Sequence, residues 1–230
     1  MRYYLLLLFI GVLYVLPAQE SPLTAISAIA TYREKMLAEM KNISRKINNY
    51  KADHDHFLNK NWQQSTVITE DGEYLHFSGR YNILRNALEA NVEEEIYSIN
   101  PSKIKAAMIG NRLLIPLSGE LVEEGNFSLL FEVISAGDVT LLQRFKVDSR
   151  MQGNGSAIVS ISEETVYFVR SDFYYTTDFT SLTLLRRNKK RILELFGDQQ
   201  SKMEQYMDKN GLKLRKDEDI IALFKQFNAQ

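Results

Sequence analysis

From Trp62 to about Leu185 apolar and polar residues alternate with a period of two, and turn residues break the alternation at short intervals. Side chains of a strand point to opposite faces in turn, so this rhythm predicts β-structure. Ser65 to Glu70 and Tyr74 to Phe77 flank Asp71-Gly72, a hairpin signal. Arg80 to Leu88 and Val92 to Ile99 read as two further strands, the second ending at Asn100-Pro101. Ile104 to Ile109 and Arg112 to Leu117 flank Gly110-Asn111, and Phe127 to Ser135 and Val139 to Val147 flank Ala136-Gly137-Asp138. Ala157 to Ile161 and Thr165 to Val169 flank Ser162-Glu163-Glu164, and Phe173 to Thr176 precedes Ser181 to Leu185. Loops this short imply antiparallel neighbours, hence a meander. A meander of so many strands is expected to curl into a barrel-like sheet or to divide into two packed sheets.

Before Trp62 the period is helical. Met36, Met40, Ile43, Ile47, Tyr50, His54 and Phe57 recur at spacings of four and three, the seam of a coiled coil. Pro22 suits a first turn, and neither glycine nor proline interrupts the chain between it and Asn61, so one long helix is expected over Leu23 to Asn61. It packs along its own β-domain or serves as a contact or dimerisation surface. After Leu185 the helical period returns. Ile192, Leu193, Leu195 and Phe196 form a stripe stopping at Gly197-Asp198, and Met203, Tyr206 and Met207 mark a helix ending at Asn210-Gly211. Asp217 is expected to cap a third helix, with Ile220, Ile221, Leu223, Phe224 and Phe227 turned inward. The expected fold is therefore α+β: an antiparallel β-meander, curled or barrel-like, preceded by one long helix and followed by short C-terminal helices. Its segments run 19–61, 62–185 and 186–230.

Residues 1–18 stand apart. Arg2 precedes an unbroken apolar run that ends at Pro17-Ala18, the layout of an export signal, with cleavage expected after Ala18. The run falls short of the roughly 20 apolar residues of a spanning helix, so the mature chain is expected to carry no integral membrane segment. The cysteine count is 0, which removes disulfides, thiol nucleophiles, thiolate metal sites and lipid attachment at the cleavage point. A formal net charge of -1, from 28 basic and 29 acidic residues, gives no ground for a nucleic-acid partner. The 45% hydrophobic fraction is ample for a packed core.

The motifs with raw material for chemistry each have a plainer explanation. In Asp53-His54-Asp55-His56 the two imidazoles lie two residues apart and on a helix point in different directions, so they cannot readily share one metal ion. His76 sits in a strand pattern unconnected to them. Glu93-Glu94-Glu95, Glu123-Glu124 and Glu163-Glu164 pair acids in sequence, but neighbours on a strand face opposite sides, so none makes a hydrolytic carboxylate pair alone. Arg186-Arg187-Asn188-Lys189-Lys190-Arg191 can dock an anionic glycan or lipid headgroup, or form a solvated face whose cations pair with nearby acids. Gly153-Asn154-Gly155-Ser156 is a turn rather than a phosphate loop. Three Asn-x-Ser triplets, at Asn42, Asn126 and Asn154, match a glycosylation acceptor, a reading that lapses if the source is bacterial. No catalytic, cofactor-binding or metal-binding residue is assigned, and no cofactor is expected.

The run from Leu184 through Asp198 and the run Asp217 to Phe224 resemble the C-terminus of a family of uncharacterised exported proteins of Bacteroidetes-type bacteria. Arg80 to Ile83 and Phe131 to Leu142 are similar to that family's strands, so the likeness covers the chain from about Trp62 onward. It implies a periplasmic or secreted location and a fold, and no activity. Two functions are weighed. One is an envelope-associated interaction or structural protein without catalysis, meeting a protein partner or itself through helix 23–61. The alternative is an exported ligand-binding or hydrolytic protein, with a sugar or lipid pocket in the curled sheet lined by aromatics among Tyr74, Tyr81, Phe131, Tyr167, Phe173, Tyr174 and Tyr175.

Overall fold

The computed structural model describes residues 22–48, 56–152 and 164–229. Residues up to Ala38 and residues from Glu39 onward form two separate compact units. The first holds most of helix α1 (Pro22–Ile43). The second contains an eleven-stranded, wholly antiparallel sheet and three C-terminal helices, the α+β meander expected.

The strands are β1 (Ser44–Lys46), β2 (Gln63–Thr69), β3 (Tyr74–Asn82), β4 (Ala87–Val92), β5 (Glu95–Ile99), β6 (Ile104–Ile109), β7 (Arg112–Ser118), β8 (Ser128–Ser135), β9 (Thr140–Gln152), β10 (Glu164–Thr176) and β11 (Thr183–Leu184). They lie in the order β1-β5-β4-β3-β2-β6-β7-β8-β9-β10-β11, an open sheet rather than a closed barrel. β2 to β5 meander one way, and β6 then returns to the other side of β2. Only Asn100 and a 3-10 turn at Pro101–Lys103 join β5 to β6. In a flat sheet those strands would lie about 19 Å apart, at roughly 4.8 Å for each of the steps between neighbours. So short a link spans at most about 17 Å even when fully extended. The sheet must therefore curl until the ends of β5 and β6 come together. Val67, Ala107, Leu114, Leu88 and Ile99 are buried, and Met40 and Ile43 at the end of α1 are buried with them.

Two polar devices hold the curl. The first lies across β3 and β4, where Arg80 and Glu89 are directly opposed. The guanidinium meets Glu89 Oε2 at 3.3 Å, Asn82 Nδ2 donates to Glu89 Oε1 at 3.0 Å, and both charged side chains are almost wholly buried. Phe57 and Trp62 close on the guanidinium, with ring centroids 3.7 and 4.1 Å away. Burial pulls the Arg80 pKa down, against the charge of Glu89, which works to hold it up. The second device is Asn86, in the β3–β4 turn, left-handed at φ 46°. Its Nδ2 donates to Ser128 O at 2.7 Å, and its Oδ1 accepts from Leu130 N and from Tyr81 Oη, both at 3.1 Å. Ser128 O and Leu130 N are main-chain groups on the edge of β8 turned away from β7. The Asn86 amide thus takes the place of a strand there. β9 pairs with β8 only through Leu141 to Gln143, and from Arg144 onward its named partner is β10 alone.

The last three helices are α2 (Lys189–Glu194), α3 (Gln200–Asn210) and α4 (Asp217–Asn228). Ile192, Leu193, Phe196, Met203, Met207, Ile220, Leu223, Phe224 and Phe227 share a core with Leu141 and Phe173 of the sheet. The stripes expected from the sequence are the buried ones. Gly211, at φ 64°, ends α3 as expected.

Several boundaries differ. The helix ends at Ile43, not near Asn61, because the chain there joins the sheet: Asn100 N donates to Ile43 O at 3.1 Å and β1 pairs with β5. Ser44 Oγ donates to the freed carbonyl of Met40. The seam is consequently not one stripe: Met40, Ile43 and Phe57 enter the core, while Tyr50 and His54 lie outside the described residues. The strands expected at Arg80 to Leu88 and Val92 to Ile99 are each a hairpin, turning at Ile83–Asn86 and at Glu93-Glu94, where both glutamates are left-handed. Phe173 to Thr176 is the end of β10 rather than a separate strand. Asp217 is the first residue of α4 and not its cap, a place taken by Lys216. The leader at 1–18, Ala157 to Ile161 and the turn at Gly153 to Ser156 lie outside the described residues. No helix among those described is long and apolar enough to cross a membrane.

Candidate functional site

The curl leaves a broad cleft of about 1030 Å³ where β5 passes into β6. Its floor is apolar and buried: Ile43, Ala87, Ile99, Pro101 and Ile104. Its walls are polar. Asn42, Arg45, Arg85, Asn100, Ser102, Lys103 and Asn126 all belong to the lining. Phe127 stands at the rim, 53% exposed, a position an aromatic ring takes only at a cost in water.

Each wall residue is placed by a local constraint. Arg45 sits on β1 opposite Ser98 of β5. Arg85 is set by an Asx-type turn in which its N–H donates to Asn82 Oδ1 at 3.1 Å. Asn100 caps the 3-10 turn, its Oδ1 accepting from Ser102 N at 3.0 Å, and Pro101 supplies the fixed first position. Lys103 pairs with Glu70 at 3.7 Å. Among the described residues no ion pair or hydrogen bond engages the guanidinium of Arg45 or of Arg85. Glu70 is the only carboxylate of the lining among the described residues, so the cleft offers donors and positive charge rather than an acid–base pair.

A smaller cavity of about 290 Å³ fills the split between β8 and β9. Tyr81, Leu84, Phe127, Leu129, Arg144 and Lys146 are among the residues that line it. Glu124 closes it, binding Arg144 through both carboxylate oxygens and Lys146 Nζ at 2.9 Å. The hydrogen bonds from Arg144 hold the Glu124 pKa down at about 2, with Lys146 adding to the effect. Burial lifts the Tyr81 phenol well above its ordinary range. This is a structural charge cluster that fills its own space.

The sequence-derived candidates scatter. Asp53, His54 and Asp55 lie outside the described residues. His56 is buried and edge-on to Tyr167, with ring centroids 5.4 Å apart. His76 is exposed on β3 and shares a hydrogen bond with Thr66 Oγ1 at 2.8 Å. No group of three potential metal ligands occurs among the described residues. Glu95 pairs with Lys46 and accepts from Tyr97 Oη at 2.9 Å, and Glu93-Glu94 form a turn. The basic run is drawn into the tail. Arg187 pairs with Asp217, Lys189 lies 2.9 Å from Glu204, and Lys190 reaches Glu194 at 4.0 Å. The seven aromatics do not line one pocket. Phe131 and Tyr174 pack edge to face at 5.6 Å, Phe173 and Tyr175 lie against the tail helices, Tyr74 and Tyr167 are exposed, and Tyr81 is in the small cavity.

Sequence reasoning misses the cleft residues because they come from six separate stretches of chain. One trace is visible: two of the three Asn-x-Ser triplets, Asn42-Ile43-Ser44 and Asn126-Phe127-Ser128, line it. No family model, curated protein or solved structure matches this chain.

Proposed function

We propose that this is an exported, envelope-associated interaction protein without catalysis, and that it holds its partner in the cleft at the β5–β6 turn. The observation that carries the reading is the lining itself. Amides, hydroxyls and cations from β1, the β3–β4 turn, the 3-10 turn and the entry to β8 converge on a preformed, buried apolar floor. Glycosidic hydrolysis needs two facing carboxyls, and among the described residues the lining brings one, already engaged by Lys103. The apolar leader and the likeness of the tail to exported proteins support the address.

Helix 23–61 is the contact surface that the sequence suggests. Part of its seam is spent on the core, so the contact surface moves to the cleft. A photo-crosslinking residue at Ser102, exposed in the cleft, tests this in living cells of the native host. A second placed at Gln200, exposed on α3, is the control. An adduct in the envelope fraction from position 102 and none from 200 is expected. Equal labelling from both, or none from 102, overturns the reading.

A further inference from the structure

We infer that the occupant of the cleft is an anionic glycan, a sugar chain bearing carboxylate or sulfate groups; this rests on the cleft being the binding surface. Arg45 and Arg85 come from β1 and the β3–β4 turn, distant in sequence, and line the same cavity. Both are exposed, and neither has an acid partner among the described residues. Arg80, Arg112, Arg144, Arg170 and Arg187 each meet an acid, while Arg150, Arg186, Arg191 and Arg215 make no ion pair among the described residues, so what sets Arg45 and Arg85 apart is that both line one cavity. Leaving two guanidiniums unmatched on one cavity gives it a local positive field in a protein whose formal net charge is -1. A guanidinium presents a planar fork of donors that fits carboxylate or sulfate oxygens two at a time.

The rest of the lining fits a sugar. Sugar hydroxyls both donate and accept, and so do the amides of Asn42, Asn100 and Asn126 and the hydroxyl of Ser102. The C–H face of a pyranose is apolar and packs against an aromatic ring, the role open to exposed Phe127. A cavity of about 1030 Å³ has room for several sugar units.

Calorimetry on the whole mature chain tests the assignment with two anionic probes, an oligogalacturonate and a heparin hexasaccharide. Their neutral counterparts, the methyl-esterified oligomer and a desulfated, N-acetylated, carboxyl-reduced hexasaccharide, are measured beside them, with a polyglutamate peptide. At least one anionic sugar is expected to bind saturably. Its affinity falls about ten-fold on neutralising the sugar, about ten-fold again in the Arg45→Gln/Arg85→Gln variant, and with added salt. Both arginines are exposed and unpaired, so the variant should melt with the wild type, which a thermal scan verifies. If neutral and anionic sugars bind equally at the cleft, the charge assignment fails while the binding reading stands. If only polyglutamate binds, the occupant is an acidic peptide and the glycan is overturned. If no probe binds and position 102 still cross-links in cells, the glycan again fails alone. Absence of both binding and cross-linking removes the two readings together.

Discussion

Asn86 shows how one side chain can substitute for a strand. Its amide matches the spacing of main-chain donors and acceptors on β8 and satisfies Leu130 N and Ser128 O, with the Tyr81 hydroxyl as a third partner. Asn86→Ala removes all three bonds and places alanine in a left-handed conformation that asparagine tolerates better. A loss of about 2–4 kcal/mol is expected in denaturant unfolding. Glu124 makes a different kind of contribution. Its pKa is held down from 4.5 to about 2, so its stabilisation is complete above 4.5 and is lost as pH falls through that interval. Thermal melts of wild type and Glu124→Gln should therefore differ most near neutrality and converge by about pH 2. A gap unchanged across that range would assign the effect to packing. Asn86 also marks what the sequence hid. Turns at Gly72 (φ 87°) and Gly110 (φ 58°) were legible because glycine advertises a left-handed backbone. Asn86 and Glu93-Glu94 adopt it without that advertisement, so two hairpins read as continuous strands.

Among the elements, the buried pair across β3 and β4 ties the sheet to the segment that covers it. Arg80→Ala leaves Glu89 charged and buried, and a loss of about 3–5 kcal/mol is expected. Replacing both, as Arg80→Met with Glu89→Leu, should recover most of it, because the penalty lies in the stranded charge rather than in the missing bond. Failure of the double variant to recover would show that stacking on Phe57 and Trp62 dominates. In the tail, α4 is anchored through Phe224, which is wholly buried. Phe224→Ala should cost about 3–5 kcal/mol, read from the unfolding midpoint. The tail was legible because its stripes meet the sheet directly and each helix obeys its own periodicity. The first helix was not: its apolar spacing continues past Ile43, and only pairing with β5, a partner some fifty residues away, stops it there.

For the whole molecule, the cleft forms where the curl brings separate stretches together. No window of sequence contains the cleft, since Arg45, Arg85, Ser102 and Phe127 come to line one cavity only after the sheet has curled. That curl also bears on how the chain reaches its fold. β6 pairs with β2, Val67 opposite Ala107, and every later strand is added outward from β6. The outer half of the sheet therefore has no template until the first four-stranded meander has formed and the short β5–β6 link has swung the chain back. Assembly should run from the N-terminal hairpins toward the tail. Pulse-labelled amide exchange during refolding would then show β2 to β5 protected before β8 to β10, and the cleft would be among the first surfaces the protein completes.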